Sequence, residues 1–160
     1  MLGDIAFIKW NYSDIKSNRT DLILEIESSL EKISSEYANV SQIAINELRG
    51  KVKFAKANYS GASEQFEKAI KGYEQTPPIS LLRLSAESLR QIGALGASRN
   101  RYQQLLERNP RNAEALVAKI QLDFELGNVE SARAALQQIP EEARNNSEQL
   151  SQLWRTIATQ

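Results

Sequence analysis

A pattern that recurs about every 34 residues is the feature that most constrains the fold of this chain. Ala62, Phe66 and Ala69 follow one another at steps of four and three residues, and these steps place three side chains in one stripe of an α-helix. The same steps return, at separations of 36 and then 34 residues, in Ser98, Tyr102, Leu105 and in Ala132, Leu136, Ile139. A fixed period of this length is typical of stacked structural repeats. The sequence therefore predicts repeated helical hairpins.

Turn signals precede and follow these stripes. Asn58 and Asn128 stand just before the first and third stripes, and asparagine at such a position caps a helix with its side-chain oxygen. Gly93 and Gly127 stand at the corresponding turns, where the first copy has Ala57. Prolines follow the copies at Pro77-Pro78, Pro110 and Pro140, and proline ends a helix at or before the preceding residue.

These residues resemble the tetratricopeptide repeat family, whose units are helix–turn–helix hairpins of about 34 residues. The resemblance covers residues 43–140 and is imperfect in each copy: Ala57 replaces the usual turn glycine, Ser98 replaces an alanine, and Leu136 replaces an aromatic residue. It implies an all-α fold, a right-handed superhelical stack of antiparallel helix hairpins (a TPR-like α-solenoid). We expect three repeats over about 41–76, 77–111 and 112–140.

The two ends of the chain lie outside this pattern. Apolar residues at helical spacing predict one helix over 4–16 and a second over 21–37, which together form an N-terminal capping hairpin in residues 1–40. Leu150, Leu153, Trp154 and Ile157 predict a last helix. Because the ends of a stack expose apolar surface that a terminal helix must cover, we expect residues 141–160 to cap the array.

The composition excludes several classes of function. Lys plus Arg equals Asp plus Glu at 20 each, and the chain contains no cysteine and no histidine. Disulfides, the usual zinc, haem and iron–sulfur ligand sets, and Cys–His or Ser–His catalysis are therefore ruled out. We expect no cofactor and no metal, and the paired carboxylates that exist are expected to solubilise helix surfaces, not to catalyse.

The resemblance also implies where a partner would bind, because the front helices of tetratricopeptide hairpins line a concave groove. Carried over residue by residue, the groove positions are Glu47, Lys51 and Phe54 in the first repeat, Arg83, Glu87 and Arg90 in the second, and Val117, Gln121 and Phe124 in the third. Arginine and lysine suit carboxylates, and aromatic rings act as anchors. For Phe54 and Phe124, burial in a helix–helix seam is the alternative.

One binding mode of the family can be tested on the sequence. Tetratricopeptide domains that hold chaperone C-termini clamp the terminal carboxylate with Lys, Asn, Asn, Lys and Arg. The matching positions here are Glu47, Lys51, Leu84, Glu114 and Ala118. Since only Lys51 is basic, and Glu47 and Glu114 are acids where the clamp has lysines, we do not expect a chaperone tail as the partner.

The main hypothesis is a non-enzymatic module that binds a protein or peptide partner in the groove. The alternative is an architectural subunit that self-associates or braces a larger assembly through its convex face or its ends. A third, weaker hypothesis is nucleic-acid binding through Arg99, Arg101, Arg108 and Arg111, but the balanced charge disfavours it. We expect no membrane-spanning segment, because no apolar run is long enough. The sequence identifies neither the partner nor the compartment.

Overall fold

The computed structural model describes residues 19–36, 42–74, 76–145 and 147–158, and these residues form helices and turns without strands. The helices are α1 (Arg19–Glu36), α2 (Gln42–Ala55), α3 (Tyr59–Gly72), α4 (Ile79–Gln91), α5 (Leu95–Arg108), α6 (Ala113–Glu125), α7 (Val129–Gln137), α8 (Glu141–Asn145) and α9 (Glu148–Ala158). The chain divides into two compact units, Met1–Ile92 and Gly93–Gln160.

The first unit is built around the hairpin of α2 and α3. Helix α1 packs against α2, and α4 packs against α3 and also contacts α2. One apolar cluster joins α1 to α2 through Ile26, Leu30 and Val52. A second joins α3 to α4 and consists of Ala62, Phe66, Ala69 and Leu81. The predicted stripe Ala62, Phe66, Ala69 is therefore the buried face of α3.

The second unit has one described apolar cluster, which gathers α6, α7 and α9. Ile120 of α6, Leu136 of α7 and Ile157 of α9 are among its buried members. Trp154 is partly buried and packs against the same cluster. As predicted, Leu150, Leu153 and Ile157 form the apolar face of the last helix, which covers the preceding hairpin.

Three turns between consecutive helices share one unusual backbone conformation. Ala57, Gly93 and Gly127 have φ values of 57°, 77° and 80°, in the left-handed region where glycine carries no steric penalty. Asn58 caps α3 by accepting a hydrogen bond from the Gly61 N–H at 3.0 Å. Asn128 occupies the N-cap position of α7, but its side chain forms no capping hydrogen bond. The prediction of an asparagine cap is confirmed for α3 and wrong for α7.

The all-α class and the helical hairpins are confirmed for the described residues. The predicted helix over 4–16 and Tyr37, at the end of the second predicted helix, lie outside the residues that the structure describes. The division into a capping hairpin, three repeats and a C-terminal cap stays a prediction.

Candidate protein-binding surface

Two of the three groove positions predicted on α2, Glu47 and Lys51, form a small hydrogen-bonded cluster with Tyr73 at the end of α3. Lys51 Nζ lies 2.8 Å from one carboxylate oxygen of Glu47, one helical turn away. The Tyr73 hydroxyl donates to the other oxygen at 3.1 Å. Burial and the neighbouring Glu47 carboxylate raise the pKa of the Tyr73 phenol, so it remains a neutral donor. The charges of Glu47 and Lys51 are thus matched against each other.

Phe54, the last groove position predicted on α2, is partly buried. Its ring meets that of Tyr59 edge to face, with ring centroids 5.4 Å apart and planes at 77°. It also packs against the cluster that contains Phe66. Phe54 therefore contributes to the seam of the hairpin and exposes only part of its ring.

The positions predicted on α4 lie along one side of that helix. Arg83 is exposed, whereas Glu87 and Arg90 are partly exposed. The buried residues of this helix lie at other positions: Leu81, Leu82, Ser85, Ala86, Ser88 and Leu89. The Ser85 hydroxyl donates to Glu67 of α3 at 3.2 Å, which adds a polar contact between α3 and α4. Gln91 donates to the Glu87 carboxylate at 2.7 Å.

The positions predicted on α6 are placed differently. Val117 and Phe124 are partly buried and pack against the cluster of the second unit. Gln121 is partly exposed. Of the three, Gln121 is the polar one, and the two apolar residues serve the core of their unit. Helix α6 belongs to the second unit and α2 and α4 to the first.

The second unit contains an ionic cluster around a buried carboxylate, which the sequence pattern did not predict. The Asp123 side chain is 0% exposed. Arg99 of α5 donates its Nε–H to one carboxylate oxygen. Lys119 Nζ lies 2.8 Å from the other, to which the Ser131 hydroxyl of α7 also donates at 3.3 Å. One carboxylate thus connects three helices.

Two opposing effects act on the pKa of Asp123. Burial alone raises the pKa of a carboxyl group because it penalises the charged form. Here the hydrogen bonds from Lys119 and Arg99, together with their positive charges, outweigh burial and hold the pKa below its ordinary value. The carboxylate is therefore ionised at neutral pH, and the pairing stabilises the packing of α6 against α5 and α7.

This cluster changes the interpretation of the arginine patch. Arg99 is engaged with Asp123, and Arg101 donates to Gln104 at 2.8 Å, three residues along α5. Of the four arginines that motivated the nucleic-acid hypothesis, one therefore supports the fold and another is engaged on its own helix. The cluster could have been found from the sequence as an acidic residue in the apolar α6 segment, four residues after a lysine.

Neither a metal site nor a membrane span is found in the part of the chain that the structure describes. Residues 19–36, 42–74, 76–145 and 147–158 contain no group of three or more acidic side chains placed to hold an ion. No helix among them is both long enough and apolar enough to cross a bilayer.

The helices and their turns define an all-α protein of hairpin repeats with a partly polar surface on α2 and α4. Residues 89–153 match the sequence model of the tetratricopeptide repeat. The predicted resemblance to this family is thus confirmed for residues 89–153. Such repeats generally mediate protein–protein interactions, and the fold is typically that of a non-enzymatic module.

A solved structure supports the fold. The crystal structure of a tetratricopeptide repeat protein from Parabacteroides merdae ATCC 43184 is similar over 97% of this chain, with a TM-score of 0.72 and 20% sequence identity. At that identity the likeness shows the fold alone. This chain spans 58% of the length of that protein. No curated protein sequence matches this chain.

Proposed function

We propose that this protein is a non-enzymatic interaction module that binds a peptide or helix of a partner protein on the first unit. The binding surface is formed by α2 and α4. We call it the front face; it consists of Glu47, Lys51, Phe54, Arg83, Glu87 and Arg90.

The observation that carries this proposal is the placement of these side chains on two helices that contact each other. Both α2 and α4 pack against α3 and also meet directly. The apolar cores take up other positions of the two helices, among them Leu48 and Val52 on α2 and Leu81 and Leu89 on α4. Phe54, which is partly exposed, lies on the same helix as the Glu47–Lys51 pair. A surface with charged donors, charged acceptors and a partly exposed aromatic residue suits a polypeptide ligand.

Site-specific photocrosslinking tests the proposal. A photoreactive amino acid at Arg83 should trap a partner from the native source, whereas the same amino acid at Lys68 should not. Lys68 is an exposed residue of α3 that pairs with Glu64 at 2.5 Å, and α3 is the back helix of the hairpin. Equal trapping from both positions would contradict the proposed surface.

The double variant Arg83→Ala/Arg90→Ala provides a second test. It should weaken binding of the trapped partner and leave the thermal unfolding temperature nearly unchanged, because neither side chain belongs to the core. Unchanged affinity would remove the front face from consideration.

The architectural alternative has less support in the described residues. Their large exposed apolar side chains are Leu24, Ile92 and Leu126, of which Leu24 is 55% exposed. Ile92 and Leu126 are the C-cap residues of α4 and α6, directly before the turn glycines. Apolar residues that are scattered singly over a surface are ordinary in monomers. We therefore expect static light scattering to give the monomer mass over a range of concentrations.

A further inference from the structure

The charges on the front face are unevenly distributed between its two helices. On α2, Glu47 faces Lys51 at 2.8 Å and accepts the Tyr73 hydroxyl at 3.1 Å, so this part carries one charge of each sign. On α4, the front face has two arginines and one glutamate. Two positive charges minus one negative charge leave one positive charge, and it lies on α4.

The negative group on α4 is partly occupied within its own helix. Glu87 accepts a hydrogen bond from Gln91 at 2.7 Å, which uses part of the acceptor capacity of its carboxylate. The arginines differ in this respect, because a guanidinium carries five N–H donors. Any contact that one carboxylate makes with Arg83 or Arg90 inside the protein leaves further N–H groups on that side chain to donate.

The spacing of the two arginines defines what can meet both. Arg83 and Arg90 are seven residues apart, or two turns, and a rise of 1.5 Å per residue separates their backbone positions by about 10 Å along the helix axis. Guanidinium groups bind carboxylates in bidentate fashion and prefer them to neutral acceptors. A segment with two carboxylates at that separation therefore complements this side of α4.

We infer that the partner segment held on the front face is acidic and presents two carboxylates about 10 Å apart, one for Arg83 and one for Arg90. This inference rests on the proposed function and adds the chemical class of the partner. In a partner segment with polyproline II conformation, which has three residues per turn and a rise of about 3.1 Å per residue, residues three apart lie on one side at about that separation. In a helical partner, the carboxylates would be seven residues apart.

Synthetic peptides test the inference directly. The probe is a short, end-blocked Ser/Thr-rich peptide with two glutamates three residues apart, compared with twins that carry glutamines or lysines at the same positions. The peptides are titrated at low ionic strength, and binding is followed through the NMR signals of the arginine Nε–H groups. The glutamate peptide should bind at least about tenfold more tightly than the glutamine or lysine peptide. The affinity should fall as salt is added.

Three comparisons separate a defined site from general electrostatic attraction. Arg83→Gln/Arg90→Gln should abolish the preference for glutamate. Lys68→Gln/Lys71→Gln also removes two positive charges, but from exposed positions on α3. This variant should keep the preference for glutamate. A peptide with adjacent glutamates has the same net charge at the wrong spacing and should bind more weakly.

Several results would overturn the inference. Equal affinity for the lysine or glutamine peptide would exclude an acidic partner, and equal affinity for the adjacent-glutamate peptide would exclude the spacing. If the Lys68/Lys71 variant lost the preference for glutamate as completely as the Arg83/Arg90 variant, the two arginines would be excluded as the binding site. A neutral or basic partner crosslinked from position 83 would uphold the proposed function and refute its acidic chemistry, so the two failures are distinguishable.

Discussion

The ring of Phe66 lies directly against the backbone of Gly50. A Cβ atom built on Gly50 would be 2.4 Å from the nearest ring carbon, far inside van der Waals contact. Phe66 itself is 0% exposed, so the ring has no open space into which it can turn. The close approach of α2 and α3 thus depends on a residue without a side chain.

Gly50→Ala should destabilise the protein by up to about 2 kcal/mol. The added methyl group overpacks the α2–α3 seam, which costs about 1–3 kcal/mol, and alanine regains about 1 kcal/mol in a helix interior. Chemical denaturation measures the free energy of unfolding. Gly96→Ala is the matched control, since a Cβ there would meet nothing within 4 Å and should cost no stability. A Gly50→Ala variant as stable as the wild type would contradict the tight packing.

Ala57→Gly should stabilise the protein. Ala57 is exposed and has a φ of 57°, a conformation that costs an L-residue about 1 kcal/mol. Glycine removes this strain but loses more entropy on folding, which leaves a net gain of about 0.5 kcal/mol. The reverse change, Gly127→Ala, should cost about 1 kcal/mol at the corresponding turn. If both changes shifted the unfolding midpoint in the same direction, the shared left-handed turn would be refuted.

Asn58→Ala should cost about 1 kcal/mol, because it removes the side-chain acceptor that caps the Gly61 N–H. Asn128→Ala offers a built-in comparison, since Asn128 occupies the same position before α7 but forms no capping hydrogen bond. We expect the second variant to retain nearly the stability of the wild type. Thermal unfolding of both variants measures the difference, and similar losses would contradict it.

Asp123→Asn should destabilise the second unit by about 2 kcal/mol at neutral pH, because it leaves the partly buried cations Arg99 and Lys119 without the carboxylate that they share. The pH dependence has a defined sign. The folded-state pKa of Asp123 lies below the ordinary value of 3.8, so the ion cluster stabilises the fold above that pH. This stabilisation disappears as the pH falls below 3.8 through the folded-state pKa.

The measurement for Asp123 is the difference in unfolding free energy between wild type and variant as a function of pH. It should be constant near neutrality and shrink in acid. Glu64→Gln, which breaks the exposed Lys68–Glu64 pair, should leave stability nearly unchanged. If the difference in unfolding free energy between wild type and Asp123→Asn grew in acid, the lowered pKa of Asp123 would be refuted.

Much of the fold could be predicted because the relevant signals are local. The stripe Ala62, Phe66, Ala69 has helical periodicity, and a stripe of that kind is buried whatever it packs against. The turns at Gly93 and Gly127 are marked by the residue that a left-handed backbone requires. Even Ala57, which lacks the glycine signal, is placed correctly by its distance from the other two turns.

The candidate site was less accessible to the same reasoning. The sequence places Val117 and Phe124 at groove positions, but the structure packs both against the core of their unit. Arg99 belongs to a row of arginines in the sequence, but in the structure it binds Asp123. In each case the outcome depends on a contact with a side chain from another helix. The periodicity of one helix does not predict such a contact.

The sequence by itself determined that this protein consists of helical hairpins with turns at Ala57, Gly93 and Gly127, because helix periodicity and turn chemistry are encoded within a few neighbouring residues. Only the tertiary structure decided that a buried aspartate joins three helices and which of the predicted groove positions remain accessible. These features depend on contacts between side chains that are far apart in the sequence. Burial, charge pairing and steric fit at such contacts depend on one another and exist only in the folded chain.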